Sequence, residues 1–260
     1  MKIVVCIKQV PDVDDIKWTK ENNLDRSQML SKINRHDDWA LNWAIKIKNN
    51  IPNVTITALS MGPEGAKSEL EYALAKGADS AILLSDKAFA ASDTLATSKI
   101  LSCAIKKYIG DFDVILTGQM AQDGDTAQVP VSMAQMLDIF DVTNCSKIYY
   151  ENDEFILKQD LEDKINIFKL KPPFLAAIKE QCDINYLPKI DDYVRAQNIK
   201  IISHSFDDLG IHGNEVGIIG SPTYVYRAFR PKIEKEPIEI RDDVKSFILK
   251  EIEQNRGMAV

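Results

Sequence analysis

The chain has 260 residues, 45% hydrophobic and 27% charged, enough apolar mass for one large domain or two small ones with a sizeable core. Its formal charge of -7 argues against a nucleic-acid or anionic-membrane surface, because both need clustered Lys and Arg. No stretch approaches the ~20 apolar residues of a membrane span, so none is expected.

In chain order, residues 2–8 (KIVVCIK) form a short apolar run that reads as a buried strand; a signal peptide needs a longer run. Residues 9–33 are polar and irregular, and a connection of that length is expected to be functional or ordered by a partner. Asn34 is placed to cap the segment DDWALNWAIKIK, where Trp39, Ala40, Trp43, Ala44 and Ile47 recur at three and four as on an amphipathic helix. Pro52-Asn53 stops it. VTITALS (54–60) is the second strand, and Gly62-Pro63 opens a helix that ends at Gly77. AILLS (81–85) is the third strand. Ser92-Asp93 starts a helix to about Tyr108, ended by Gly110, and DVILTG (113–118) is the fourth strand. A polar Gly/Asp loop (119–126) leads into a helix to about Leu137. Strands alternating with helices over 1–140 predict an α/β fold, an open parallel sheet with helices on both faces, Rossmann-like in pattern.

After residue 140 the pattern changes. Residues 142–150, 154–160, 164–170 and 174–180 are expected as strands joined by short turns, and 181–199 as a loop and a short helix. Residues 200–240 are irregular, with Pro222, Pro231 and Pro237, and a charged helix spans about 241–255. The expected division is an α/β domain over 1–199, with its β-rich stretch at 142–180, and a tail with a helix over 200–260 that finds its contacts on a partner.

In an open parallel sheet, ligands bind outside the carboxyl ends of the strands. There lies Gly118-Gln119-Met120-Ala121-Gln122-Asp123-Gly124-Asp125-Thr126-Ala127-Gln128-Val129, a strand running through a tight turn straight into a helix. Backbone N–H groups at the helix start are free to meet a phosphate, and Thr126 and Gln128 can add side-chain bonds. Asp123 and Asp125 suit ribose hydroxyls or capping better. The residues alone leave two readings, a nucleotide site or a well-capped turn. The segment Ser92-Asp93-Thr94-Leu95-Ala96-Thr97 divides the same way, between a routine N-cap and a second phosphate contact. No Ser-His-Asp, Cys-His or paired-carboxylate arrangement is present, so no catalytic residue is assigned. His36, His204 and His212 lack metal-ligand spacing, so no metal site is expected. Cys6, Cys103, Cys145 and Cys182 contain no Cys-x-x-Cys pair and read as free thiols of a reducing cytoplasm.

The segments KIVVCIKQVPD, MGPEGAKSELEYALAKGADSAILLSD, FAASDTLATS, GQMAQDGDTAQV and SPTYVYR, in this order, resemble the β subunit of electron-transferring flavoproteins over nearly the whole chain. The resemblance implies an adenine-nucleotide-binding fold that pairs with an α subunit. It implies nucleotide contacts from Cys6, Asn34, Asp37, Met61 and the loop Asp123, Gly124, Asp125, Thr126, Ala127, Gln128 and Val129, with Asp93, Thr94 and Thr97 at a flavin-side phosphate. The Asp-Thr-Leu-Ala-Thr segment and the Asp-Gly-Asp-Thr-Ala-Gln-Val loop resemble the electron-bifurcating members. Those hold a second FAD and take electrons from NADH, whereas other members hold a structural AMP. The implied electron partners are an FAD-dependent dehydrogenase, of acyl-CoA or 2-hydroxy-acid type, and ferredoxin or flavodoxin. The dehydrogenase-docking segment falls at 182–195, with Tyr186, Ile190 and Tyr193 as anchors. It lacks the family's usual arginine, as Val129-Pro130-Val131 departs from the usual Val-Gly-Pro and Asn34-Arg35 from Asn-Pro. A stand-alone nucleotide-binding domain shares the sheet pattern but leaves the C-terminal tail unexplained.

Overall fold

The KIVVC run forms strand β1 (Lys2–Cys6), and its alternation sets the layers. Ile3 and Val5 enter one core while Val4 and Cys6 enter another, as successive strand residues point to opposite faces. The computed structural model describes residues 1–12, 31–225 and 243–255. Short strands β2 (Gln9–Pro11) and β3 (Ser31–Ile33) pair antiparallel at the two ends of the expected long connection, most of which, 13–30, lies outside the described residues.

Helix α1 (Arg35–Asn50), strand β4 (Thr55–Met61), helix α2 (Lys67–Lys76) and strand β5 (Ser80–Leu84) follow as expected. So do helix α3 (Thr94–Ala104), strand β6 (Val114–Gly118) and helix α4 (Val129–Leu137). The α2 stop is Gly77 at φ 136, a conformation an L side chain rarely adopts. Helices α1 and α2 cover the Ile3/Val5 face, and α3 and α4 cover the Val4/Cys6 face. This is the predicted parallel α/β sandwich.

The β-rich stretch gives β7 (Phe140–Glu151), β8 (Glu154–Asp160), β9 (Ile165–Leu170) and β10 (Phe174–Ile178). Their order in space differs from their order in sequence. Strand β10 sits parallel between β6 and β7, while β8 and β9 extend the sheet antiparallel beyond β7. Phe174–Ile178 is apolar at every position and buried throughout, so it needs cover on both faces. Strand β9 alternates Ile165, Ile167 and Lys169 outward, which suits an edge.

Helix α5 (Ile190–Gln197) is followed by β11 (Ile202–His204) and the short helix α6 (Phe206–Leu209). Here the structure departs from the expected irregular tail. Strand β11 pairs parallel with β5, and Leu209 and Val216 are buried in the α3/α4 core. These few apolar residues find their contacts on this chain, because β5 would otherwise present an open edge. Residues 226–242, with Pro231 and Pro237, lie outside the described residues. The chain divides into two compact units, 1–226 and 227–260; the second contains helix α7 (Val244–Asn255), with the Asp243 carboxylate accepting from Lys245 N and Ser246 Oγ. Among the described residues no helix is long and apolar enough to cross a membrane.

Candidate functional site

The carboxyl ends of β1 and β6 are joined by one buried carboxylate. Asp37, in the first turn of α1, accepts from Lys8 N at 2.8 Å with Oδ2 and from Gly118 N at 2.9 Å with Oδ1. Gly118 has room for no side chain, since a β-carbon there would collide with the Asp37 carboxylate and stand 2.6 Å from His36 Cβ. Burial pushes the Asp37 carboxyl up to about 7, against the hydrogen bonds from Lys8, Asn34 and Gly118 and the nearby Lys8 charge. Burial, then the Asp37 charge, pushes the Cys6 thiol far up as well. Cys6 is therefore an apolar wall of the site and no nucleophile.

Asn34 occupies the N-cap position of α1 but makes no side-chain cap bond. Its amide instead donates to Met120 O at 2.9 Å and its Oδ1 accepts from Gln122 N at 3.1 Å. The loop after β6 folds over the helix start, and its backbone groups take the bonds that the helix would have used. Asn34 and Asp37 thus shape the cradle from beneath.

The loop tightens at Ala121, whose carbonyl accepts from Gly124 N and Asp125 N at 3.2 and 2.8 Å. Asp125 and Ala127 then take left-handed conformations, φ 50 and 54. Asp123 is ion-paired with Lys8 Nζ at 2.7 Å, so its charge is largely offset. Beyond the turn, the backbone N–H groups of Thr126, Ala127, Gln128 and Val129 find no acceptor among the described residues. The N-cap of α4, Gln128, makes no side-chain cap bond. Pro130 falls in the first turn, where its missing N–H costs nothing. An uncapped helix start with consecutive free amides is the donor set a phosphate requires. The residues present fit a nucleotide phosphate.

Helix α3 starts beside it. Thr94 Oγ1 donates to Gln128 Oε1 at 2.7 Å, and Ser98 Oγ donates to Thr94 O and Val129 O at 2.7 and 3.3 Å. Thr97 is half-buried on α3, with no side-chain hydrogen bond among the described residues. Asp93 caps α3, accepting from Leu95 N and Ala96 N at 3.0 and 3.1 Å. It also holds Thr223 through the backbone N and the hydroxyl, while Asp93 N donates to Ser221 Oγ. Burial raises the Asp93 carboxyl, but the bonds from Ala96, Thr223 and Leu95 outweigh it and hold the group below its ordinary value. Met61, half-buried at the end of β4, packs against the α3/α4 core. Cys6, Asn34, Asp37 and 123–129 therefore meet at one end of the sheet, and a hydrogen bond joins Thr94 to them.

The predicted docking residues lie elsewhere. Ile190 is 83% exposed and Tyr193 is exposed, while Tyr186 packs partly on the α1/α2 core and its N–H donates to the buried Asn42 at 3.2 Å. Arg195 Nη2 donates to the carbonyls of Leu74 and Ala75 and seats α5 on the end of α2. Exposed Leu187 and Val194 flank Ile190. Lys8, Gly118 and Gln119 were expected at the ligand-binding ends of the strands without a contact assigned to them; the Gln119 side chain accepts from Asn144 N. Only their position at strand ends marked them.

The family profile Electron transfer flavoprotein domain matches residues 23–185. The chain belongs to the electron transfer flavoprotein family, β-subunit type. It is 38% identical over 258 residues to the electron transfer flavoprotein subunit beta of Thermoanaerobacterium thermosaccharolyticum, covering 98% of this chain and 97% of that one. It is 37% identical over 233 residues to subunit CarD of the caffeyl-CoA reductase–Etf complex of Acetobacterium woodii, covering 89% and 88%. Protein FixA of Sinorhizobium fredii is 37% identical over 239 residues, 89% of this chain and 84% of that protein. As an electron transfer flavoprotein β subunit, the protein serves electron transfer, and its family implies an α-subunit partner and a bound flavin or AMP.

Proposed function

We propose that this β subunit holds FAD in the cradle after β6. With its α subunit it takes electrons from NADH and passes them to an FAD-dependent dehydrogenase and to ferredoxin or flavodoxin, by flavin-based bifurcation or its reverse. The observation that carries the reading is the run of free amides at 126–129 at an uncapped helix start, beside Thr94. The likeness to a subunit of a caffeyl-CoA reductase–Etf complex supports it.

FAD supplies the hydride and single-electron chemistry when bound. The chain's residues bind and orient. The amides of 126–129 and the α4 dipole take phosphate. Asp125, exposed and unpaired by any lysine or arginine among the described residues, takes ribose hydroxyls. Asp37 and Asn34 fix the loop, and Cys6 and Met61 give apolar surface. No acid or base is needed from this chain.

A second reading, structural AMP, is favoured by Asp93. Its carboxylate already fills the α3 start, leaving one amide cradle, enough for one phosphate. The test is the nucleotide content of the purified α/β complex, read from flavin absorbance and the mass of released ligands. Two flavins per heterodimer are expected, and Asp125→Leu/Thr126→Leu should lower this to one. One flavin plus AMP in the parent complex would replace the FAD reading. Two flavins retained in the variant would remove the loop from the site.

We further propose that the α5 segment, with Tyr186, Ile190 and Tyr193, docks an acyl-CoA or 2-hydroxy-acid dehydrogenase, and that part of 200–260 wraps the α subunit. Exposed Ile219, Tyr224 and Val225 lead into that tail. The free thiols support a cytoplasmic location.

A further inference from the structure

Helices α3 and α4 run back from the carboxyl ends of the strands, so their last turns lie at the opposite end of the sheet from the nucleotide cradle. There α3 passes into a π-helical turn, Ile105–Ile109, a distortion that occurs often at functional sites. The turn sets Lys106 and Lys107 on the rim of an open surface cavity of about 460 Å³. That volume lies in the range of small-molecule sites, roughly 300–1,000 Å³.

The charges around the cavity are partly paired, since hydrogen bonds from Ser205 and then the charges of His204 and Lys107 hold the Asp208 carboxyl below its ordinary value. Lys99 faces Glu215 at 3.5 Å. Lys106 Nζ donates to Met136 O at 2.7 Å and Lys107 Nζ to Asp208 O, both neutral carbonyls. The Asp208 carboxylate is engaged by Ser205 N and Oγ. Two ammonium groups therefore stand at the rim with no carboxylate in ion-pair contact among the described residues. The walls are apolar, with Met136, Ile211 and the half-buried Cys103. Ser102, 3% exposed, also lines the cavity, and its hydroxyl has no hydrogen-bond partner.

We infer that this cavity is a second ligand site, for a compact organic acid whose carboxylate meets Lys106 or Lys107 and whose alkyl or aryl body lies on Met136 and Ile211. Inorganic phosphate gains nothing from the apolar wall, and an uncharged alcohol gains nothing from the lysines.

Cys103 reports on occupancy. It is half-buried in the cavity wall, whereas Cys6, Cys145 and Cys182 are buried. The native α/β complex is alkylated with N-ethylmaleimide and modification of the Cys103 peptide is followed by mass spectrometry. Octanoate should slow that modification, while octanol and inorganic phosphate at equal concentration should not. Lys106→Met/Lys107→Met should raise the octanoate needed for half-protection by about tenfold, with the flavin spectrum unchanged. If the double variant does not fold, Lys107→Gln and the octanoate–octanol comparison on the parent complex carry the same test. Equal protection by octanol or by phosphate, no protection by octanoate, or a Cys103 that never reacts in the complex would each overturn the assignment.

Discussion

Replacing Asp37 with Asn keeps the side chain's shape and removes its charge. In the parent protein both oxygens accept, one from Lys8 N and one from Gly118 N. Asparagine has a single acceptor oxygen, so one of those two N–H groups must face the amide's own N–H. A buried donor left unpaired costs about 1–3 kcal/mol, but at pH 5 the Asp37 carboxyl, raised to about 7, is itself protonated and turns a hydrogen toward one of the same groups, so the two proteins should differ by less than that. As pH rises the balance should move in favour of the variant. Burial lifts the Asp37 carboxyl from 3.8 to about 7, so the native state holds this proton more tightly than the unfolded chain. Unfolding between those values releases the proton, so the stability contributed by the protonated group is full below pH 4 and lost as pH rises toward 7. At 1.36 kcal/mol per unit of pKa the ceiling on that loss is on the order of 4 kcal/mol. The variant has no such group. Urea unfolding of the α/β complex, followed between pH 4 and pH 8 for both proteins, measures it. If the gap between parent and variant is the same at pH 5 and pH 8, the Asp37 proton is not held in the fold, and its carboxylate is ionised throughout.

Asp93→Ala removes the α3 cap and the tie to Thr223 and should cost about 1 kcal/mol or more at pH 7. Because the hydrogen bonds hold the Asp93 carboxyl below its ordinary value, its contribution is present above about pH 4 and disappears as pH falls through the lowered pKa; urea midpoints at pH 7 and at the acid limit of the folded state should converge. A difference that persists undiminished at low pH would assign the loss to packing instead. Ile190→Ala should weaken binding of the partner dehydrogenase by on the order of 2 kcal/mol, read by surface plasmon resonance, with bound flavin and NADH-dependent flavin reduction unchanged. Unaltered affinity would move the anchor to the α subunit or to the C-terminal tail.

The parallel α/β plan was legible because it is written in local terms. Alternating apolar runs and helical periods, with Gly77 and Gly110 as stops, fix element type from neighbours in sequence. The strand end running through Gly118–Val129 into the uncapped start of α4 was legible for the same reason. Asn34 shows where such reading stops. Its type and position mark a helix cap, yet the folded loop presents Met120 O and Gln122 N to the same side chain, and those bonds form instead. Gly118 shows it again, since its lack of a side chain matters only once Asp37 and His36 are packed against it.

The sequence by itself determined most strands and helices before residue 200, that the first half builds a parallel sheet, and where the free amides at the start of α4 fall. Only the tertiary structure decided that β10 enters the sheet between β6 and β7, that Ile202–His204 close the β5 edge, and that Asp37 locks β1 to β6. The physical reason is range. Periodicity and capping act over a few residues, whereas strand order, shared burial and the choice among competing hydrogen-bond partners are set by groups far apart in the chain that meet only when the core closes.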